Sequence, residues 1–199
     1  MGIGTLNTTR RAIFFDRDGV LNEAVIRKGK PYPPASVEEL IIAPDARGCL
    51  QKLKSAGFLL IGATNQPDVA RGITQQTTVE AINKKLKDEL CLDEIFVCYH
   101  DDTDNCNCRK PLPGLLIQAA SVFNIDLINS IMIGDRWKDI EAGHRAGCGT
   151  IWLDQGYAEQ KPTQLPNFRC KTLTKATEWL LTMEISKINY KEYVDATGR

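Results

Sequence analysis

Five apolar segments of strand length recur along this chain, at Ala12 to Phe15, Phe58 to Ala63, Glu94 to Tyr99, Ser130 to Ile133 and Thr150 to Leu153, and helix-like patterns lie between most of them. Short apolar runs bounded by polar residues and glycine read as strands buried on both faces. Between them, one helix is expected from near Pro44 and Asp45, with Leu50 and Leu53 on one face and a stop at Gly57. A second begins around Thr74 and runs through Val79, Ile82, Leu86 and Leu90. A third opens at Pro113 and passes Leu116 and Ala120, and a fourth spans Trp137 to Ala146 before Gly147. This alternation predicts a three-layer α/β domain whose mainly parallel sheet is covered by helices on both faces. Ligands of such sheets bind outside the carboxyl ends of the strands. Four polar clusters fall there: Asp16 with Asp18, Thr64 with Asn65, Cys98 with His100, and Gly134 with Asp135.

The 199 residues suit a single domain with a core of about residues 11–183, a further helix near Thr174 to Met183 and a disordered tail from Glu184 to Arg199. Asn22 to Ser36, with Arg27, Lys28, Lys30, Tyr32 and three prolines, lacks periodicity; it is either an ordered loop at the active edge or a solvated connection. Prolines and polar residues make Ala158 to Arg169 a surface crossing. Lysine plus arginine equals aspartate plus glutamate at 25 each, so nucleic acid is not an expected partner. No run of about 18 apolar residues and no signal-like amino end occur, which places the expected protein in the cytoplasm, away from membranes. In that reducing setting the seven cysteines are read as thiols or ligands. The scattered Cys49, Cys91, Cys148 and Cys170 are read as small buried hydrophobes.

The segment Ile13 to Asn22 ends an apolar run with two carboxylates one residue apart, followed by glycine. Phosphoryl transfer needs a nucleophile, neutralisation of the phosphate oxygens and a proton for the leaving group. Asp16 suits the nucleophile, forming an aspartyl-phosphate; Asp18 suits the acid that protonates the leaving oxygen and the base that then activates water. Neighbouring carboxylates repel, so a divalent cation is required, and Mg²⁺ prefers oxygen ligands. Asp135, delivered after Gly134, is the natural third contributor. Asp139, one turn further on, either holds a metal-bound water or caps the following helix. Thr64 can donate its hydroxyl to phosphate, helped by the amides around Asn65, although Thr-Asn also suits a plain turn. Lys110 supplies positive charge.

Cys98-x-His100-x5-Cys106-x-Cys108 offers three thiolates and an imidazole within eleven residues. Such a set fits tetrahedral Zn²⁺ with every position filled by protein, hence a structural staple and not a nucleic-acid-reading finger. Cys108 immediately precedes Arg109 and Lys110, so the folded loop would carry both cations to the phosphate pocket.

Asp16-Arg17-Asp18-Gly19-Val20-Leu21-Asn22, Thr64-Asn65-Gln66, Arg109-Lys110-Pro111 and Gly134-Asp135-Arg136-Trp137-Lys138-Asp139 follow in the order seen in haloacid dehalogenase-like (HAD-like) phosphatases, and the chain resembles them from about Ile13 to about Asp154. Within them it is similar to the group that includes heptose bisphosphate and histidinol-phosphate phosphatases. The resemblance implies a Rossmann-like HAD fold without a large cap, the loops Asn22 to Ser36 and Cys98 to Lys110 enclosing substrate. It also implies Asp16, Asp18, Thr64 and Lys110 as catalytic residues and Asp16, Asp18 and Asp135 on Mg²⁺, Asp18 also through its backbone carbonyl. Asn65, Arg109 and Arg136 are implied to bind substrate, with Arg109 gripping a second phosphate, and the protein to be a monomer. The implied reaction is hydrolysis of a small phosphorylated metabolite, foremost D-glycero-D-manno-heptose 1,7-bisphosphate to the 1-phosphate, with histidinol phosphate second and a nucleic-acid 3′-phosphate third. A zinc-stapled interaction module is the non-enzymatic alternative. Three departures bear on substrate. Tyr99 replaces the usual proline of the zinc loop, the His100–Cys106 interval has the short length of the histidinol-phosphate group, and Pro67-Asp68 replaces the Ser-Gly usual in heptose enzymes.

Overall fold

The structure is a computed structural model and describes residues 9–183. The expected tail from Glu184 onward lies outside the described residues. Thirteen elements follow β1 (Ala12–Phe15), β2 (Val25–Arg27), β3 (Lys30–Tyr32), α1 (Ala46–Ser55), β4 (Leu59–Asn65), α2 (Gln76–Leu90), β5 (Glu94–Cys98), a 3₁₀ turn at Asp102–Asp104, α3 (Gly114–Phe123), β6 (Ile131–Gly134), α4 (Trp137–Ala146), β7 (Gly149–Leu153) and β8 (Phe168–Cys170). A last helix, α5, runs over residues 173–183. None of the described helices is long and apolar enough to cross a membrane.

Six strands form one sheet in the order β5-β4-β1-β6-β7-β8, and every pairing in it is parallel. The chain leaves β1 toward β4 and β5, then returns to the other side of β1 as β6. The strand order therefore reverses between β1 and β6, which is where open α/β sheets form their ligand crevice.

The period-two alternation of β1 divides the core. Ile13 and Phe15 join a cluster with Leu50 and Leu53 of α1, Ile82, Leu86 and Leu90 of α2, and Leu173, Ala176 and Leu180 of α5. Ala12 and Phe14 face the other way, onto Leu115, Leu116 and Ala119 of α3 together with Leu59, Ile61 and Met132. All four residues of β1 are fully buried, so its carboxyl end is anchored from both sides of the sheet.

Two segments differ from expectation. Asn22 to Ser36 contains the antiparallel pair β2–β3, joined by Lys28 and Gly29, both at positive φ. Its three-residue strands are exposed on both faces and include Pro31, so they carry no apolar alternation to read. The crossing expected up to Arg169 ends instead in β8, an edge strand that pairs with β7. Among the scattered cysteines, Cys49 and Cys148 are buried as expected. Cys91 is exposed, in a left-handed conformation just past α2, and Cys170 is only half-buried on the edge strand, so neither is a core residue.

Candidate active site

The carboxyl ends of β1, β4 and β6 and the loop after β5 meet in a cleft of about 270 Å³. It is lined from below by Asp16, Asp18, Thr64, Lys110 and Asp139, and from the sides by the β2–β3 hairpin, Arg71, Asp102, Arg109, Arg136, Lys138 and Glu159. Both loops expected to enclose substrate thus contribute walls.

At the floor, Asp16, Asp135 and Asp139 bring one carboxylate oxygen each to within 4.8 Å of one another, all three residues buried. Lys110 enters this group, with Nζ 2.8 Å from Asp16 Oδ1, 2.6 Å from Asp139 Oδ1 and 2.7 Å from the Ala63 carbonyl that accepts from it. One ammonium does not balance three carboxylates. Burial first, and then Asp139, push Asp16 up to about 6 against the pull of Lys110. Burial followed by the charges of Asp16 and Asp139 pushes Asp135 well above the usual carboxylate range. Burial alone would lower Lys110, but Asp139 and Asp16 outweigh it and the shift is upward. Both Asp135 carboxylate oxygens are buried without a well-formed hydrogen bond, although the Tyr157 hydroxyl lies near enough to draw its pKa downward. Clustered carboxylates with orphaned oxygens and excess negative charge are the donor set a hard divalent cation requires.

Asp18 stands apart from that trio. Its carboxylate accepts from Nε and Nη2 of Arg17 at 3.0–3.2 Å, from Asn22 Nδ2 at 3.0 Å and from Gln66 Nε2 at 2.8 Å. Arg17 is wholly buried and its Nη1 donates to Asn83 Oδ1 of α2 at 2.9 Å. Gln66 also donates to Thr64 Oγ1 at 3.0 Å. Asp18 is therefore oriented by a fixed set of donors, and its side chain lies outside the carboxylate trio where Asp139 takes part. Of the two readings of Asp139, the helix cap is seen: Oδ2 accepts from the Arg136 amide at 3.0 Å, while Oδ1 meets Lys110.

Asn65, expected to bind substrate, spends its side chain on Lys110. Its Nδ2 donates to the Lys110 carbonyl at 2.9 Å and its Oδ1 accepts from the Lys110 amide at 3.0 Å. Its side chain therefore positions Lys110, while the residue itself still lines the cleft.

The outer wall is built from arginine–carboxylate pairs. Arg109 donates through Nε to Asp102 at 2.6 Å and through Nη1 to the His100 carbonyl at 3.3 Å. Arg136 makes a two-point pair with Glu159. Arg71 bridges Asp68, at 3.2 Å, and Asp101, whose carboxyl its hydrogen bonds hold down at about 2. Asp68, the residue that departs from the usual Ser-Gly, thus anchors Arg71. Glu159, Arg17, Gln66 and Asn83 were not singled out by the sequence reading; only Arg17 and Gln66 lay inside a quoted motif.

The four expected zinc ligands converge. Cys98 Sγ lies 3.1 Å from Cys108 Sγ and 3.7 Å from Cys106 Sγ, Cys106 and Cys108 are 3.5 Å apart, and His100 Nδ1 is 3.3 Å from Cys108 Sγ. Sulfurs bound at about 2.3 Å to a tetrahedral Zn²⁺ sit roughly 3.8 Å apart, so the donor set is close to the required shape.

A parallel sheet with a crevice at its switch point, paired aspartates after the first strand, a lysine among buried carboxylates and a further aspartate after β6 describe a phosphoryl-transfer site. The chain belongs to the HAD-like phosphatases, which are phosphoric monoester hydrolases. The profile of the HAD-hydrolase-like family matches residues 107–176. Among individual relatives, the chain is 35% identical over 180 residues to the D-glycero-beta-D-manno-heptose-1,7-bisphosphate 7-phosphatase of Bordetella bronchiseptica, covering 86% of this chain and 98% of that protein. It is 33% identical over 148 residues to the D-glycero-alpha-D-manno-heptose-1,7-bisphosphate 7-phosphatase of Campylobacter jejuni, covering 72% of this chain and 81% of that protein. The crystal structure of the D,D-heptose 1,7-bisphosphate phosphatase from B. bronchiseptica, complexed with magnesium and phosphate, superposes with a TM-score of 0.69 at 29% identity, covering 87% of this chain and 99% of that one.

Proposed function

We propose that this chain, as a single phosphatase domain, removes the 7-phosphate of D-glycero-D-manno-heptose 1,7-bisphosphate, leaving the 1-phosphate. The observation that carries the reading is the joint placement of a buried Asp16–Lys110–Asp135–Asp139 floor beneath a wall of arginines and a lysine. The floor suits one phosphate ester and the wall a second anion at the other end of a small sugar. The names of the relatives support the substrate.

In this reading Asp16 attacks phosphorus, the P–O bond to the sugar breaks, and Asp18 gives its proton to the departing oxygen. Asp18 then takes a proton from water, whose oxygen attacks the aspartyl-phosphate and returns Asp16 as a carboxylate with release of inorganic phosphate. Lys110 and the Thr64 hydroxyl stabilise the charge on the phosphoryl oxygens. Asp16 and Asp135, with Asp139 nearby and the backbone carbonyl of Asp18, would hold Mg²⁺. When bound, Mg²⁺ neutralises the carboxylates and the phosphate so that the two can approach. Zn²⁺ on Cys98, His100, Cys106 and Cys108 holds the loop that carries Arg109 and Lys110. Arg109 and Arg136 bind the distal phosphate.

The short His100–Cys106 interval favours histidinol phosphate as a second substrate reading. Phosphate release is measured with Mg²⁺ from both heptose bisphosphate anomers, histidinol phosphate and a 3′-phosphorylated oligonucleotide at matched concentrations. A heptose anomer is expected to lead by about tenfold or more in kcat/KM, about 1.4 kcal/mol. A lead of that size for histidinol phosphate would overturn the choice. Absence of Mg²⁺-dependent turnover of any of them would defeat the enzymatic reading.

A further inference from the structure

Three cations share one side of the cleft, and they are held differently. Asp102 fixes Arg109 and Glu159 fixes Arg136, each through a charged hydrogen bond. Lys138, in the first turn of α4, lines the same cleft half-buried. Among the described residues no carboxylate lies within ion-pair distance of it; its recorded contact is with the neighbouring Trp137 ring, 5.6 Å from ammonium to centroid. A half-buried ammonium close to two guanidiniums is unfavourable on its own, because like charges repel most where water is partly excluded. The same grouping focuses positive potential into the cleft and becomes favourable once an anion enters. Arg109 and Arg136 are each held by a hydrogen-bonded carboxylate; Asp102 and Glu159 also attract Lys138 at longer range, but among the described residues neither engages its ammonium, which is left to meet an entering anion.

We propose that Lys138 is a specificity-determining residue which completes, with Arg109 and Arg136, a subsite for a second phosphate on the substrate. The ammonium contributes a charge with no hydrogen-bonded carboxylate of its own, and the two paired guanidiniums contribute direction. This rests on the phosphatase reading above and adds to it the group that separates a bisphosphate from a monophosphate. A substrate with a neutral or cationic distal end would leave Lys138 without a partner.

The test compares heptose 1,7-bisphosphate with heptose 7-phosphate in the full chain with Mg²⁺, for wild type, Lys138→Met and Lys138→Arg. A charge-assisted contact of ordinary strength predicts that Lys138→Met lowers the bisphosphate-to-monophosphate ratio of kcat/KM by about tenfold or more, through the KM of the bisphosphate, and that Lys138→Arg recovers most of it. A ratio within about twofold of wild type, or equal losses on both substrates, would overturn the proposal. Calorimetric binding of the bisphosphate to Asp16→Asn protein, with and without Lys138→Met, reads the subsite without turnover. About tenfold weaker binding is expected, and unchanged binding would overturn the proposal. Failure of wild type to hydrolyse either compound would instead count against the phosphatase reading.

Discussion

Asn65 clasps the main chain of Lys110, its amide donating to one side of the residue and accepting from the other. The two belong to different segments, the end of β4 and the cysteine-rich loop after β5, and the clasp sets where the Lys110 ammonium enters the carboxylate floor. Asn65→Ala removes both hydrogen bonds and leaves Thr64 and Lys110 in place. Loss of position by about 1 Å can cost roughly 10²-fold in rate, so kcat is expected to fall by about ten- to a hundredfold with a smaller change in thermal midpoint. Steady-state kinetics beside a melting curve separate the two.

Asp16→Asn should abolish turnover and the acid-stable phosphoryl label on the protein, with a loss of roughly 10³-fold or more. The same variant gives a stability test in metal-free protein. The Asp16 pKa is raised in the fold to about 6 from 3.8, so between these values the folded state binds more protons than the unfolded one and stability falls as pH rises. Metal-free wild type should therefore lose stability from about pH 4 to about pH 6, and metal-free Asp16→Asn should lose less. Added Mg²⁺ should raise the melting temperature of wild type near neutral pH and do so weakly in the variant. Equal pH profiles would contradict the assignment.

Removal of the thiolates tests the staple. Cys108→Ser, or dialysis against a strong chelator, is expected to release bound zinc, lower kcat at saturating Mg²⁺ and expose the loop from Cys98 to Lys110 to protease. Metal analysis of the purified protein should find close to one zinc per chain. Full activity after complete zinc loss would exclude the staple as the support of Arg109 and Lys110.

Gly134→Ala addresses the approach of β6 to α4. A Cβ there would lie 2.1 Å from Asp139 Cβ and 2.4 Å from Asp139 Oδ2, so Asp139 must move away from both Lys110 and the Arg136 amide. Overpacking of this kind costs about 1–3 kcal/mol. Urea unfolding should report that loss, accompanied by a fall in kcat that Gly143→Ala, which meets Thr150 and Met132 instead, should not reproduce in proportion.

The sheet was legible because five of its strands are apolar runs and three of the four expected helices end on glycine or asparagine or open on proline, while α2 shows itself by apolar periodicity alone. The fourth helix keeps its expected bounds, Trp137–Ala146. The β2–β3 hairpin and β8 were not, since strands of three residues with exposed faces owe their existence to neighbours and not to their own pattern. The catalytic floor was legible for a similar reason: Asp16, Lys110 and Asp135 stand beside strand ends or in quoted motifs. The supports were hidden. Asn83 reaches Arg17 across 66 positions and Glu159 reaches Arg136 across 23, and each lies in a segment that reads as ordinary helix surface or polar loop. Asn65 was placed at the site without this clasp, because its spacing does not disclose that its side-chain amide is engaged by Lys110.

Among the described residues the cleft is overhung by the β2–β3 hairpin, whose Gly29 carbonyl accepts from the Ala158 amide at 3.4 Å. Among the described residues no further domain covers the cleft, so Arg136, a third of its side chain exposed, and half-buried Lys138 lie close to bulk electrolyte while substrate is bound. Their pull on a distant phosphate is then subject to counter-ion screening over a length of about 10 Å at 0.1 M salt. Preference for doubly charged over singly charged esters should consequently shrink as ionic strength rises, while the buried floor, shielded from mobile ions, keeps its hold on the phosphate being cleaved.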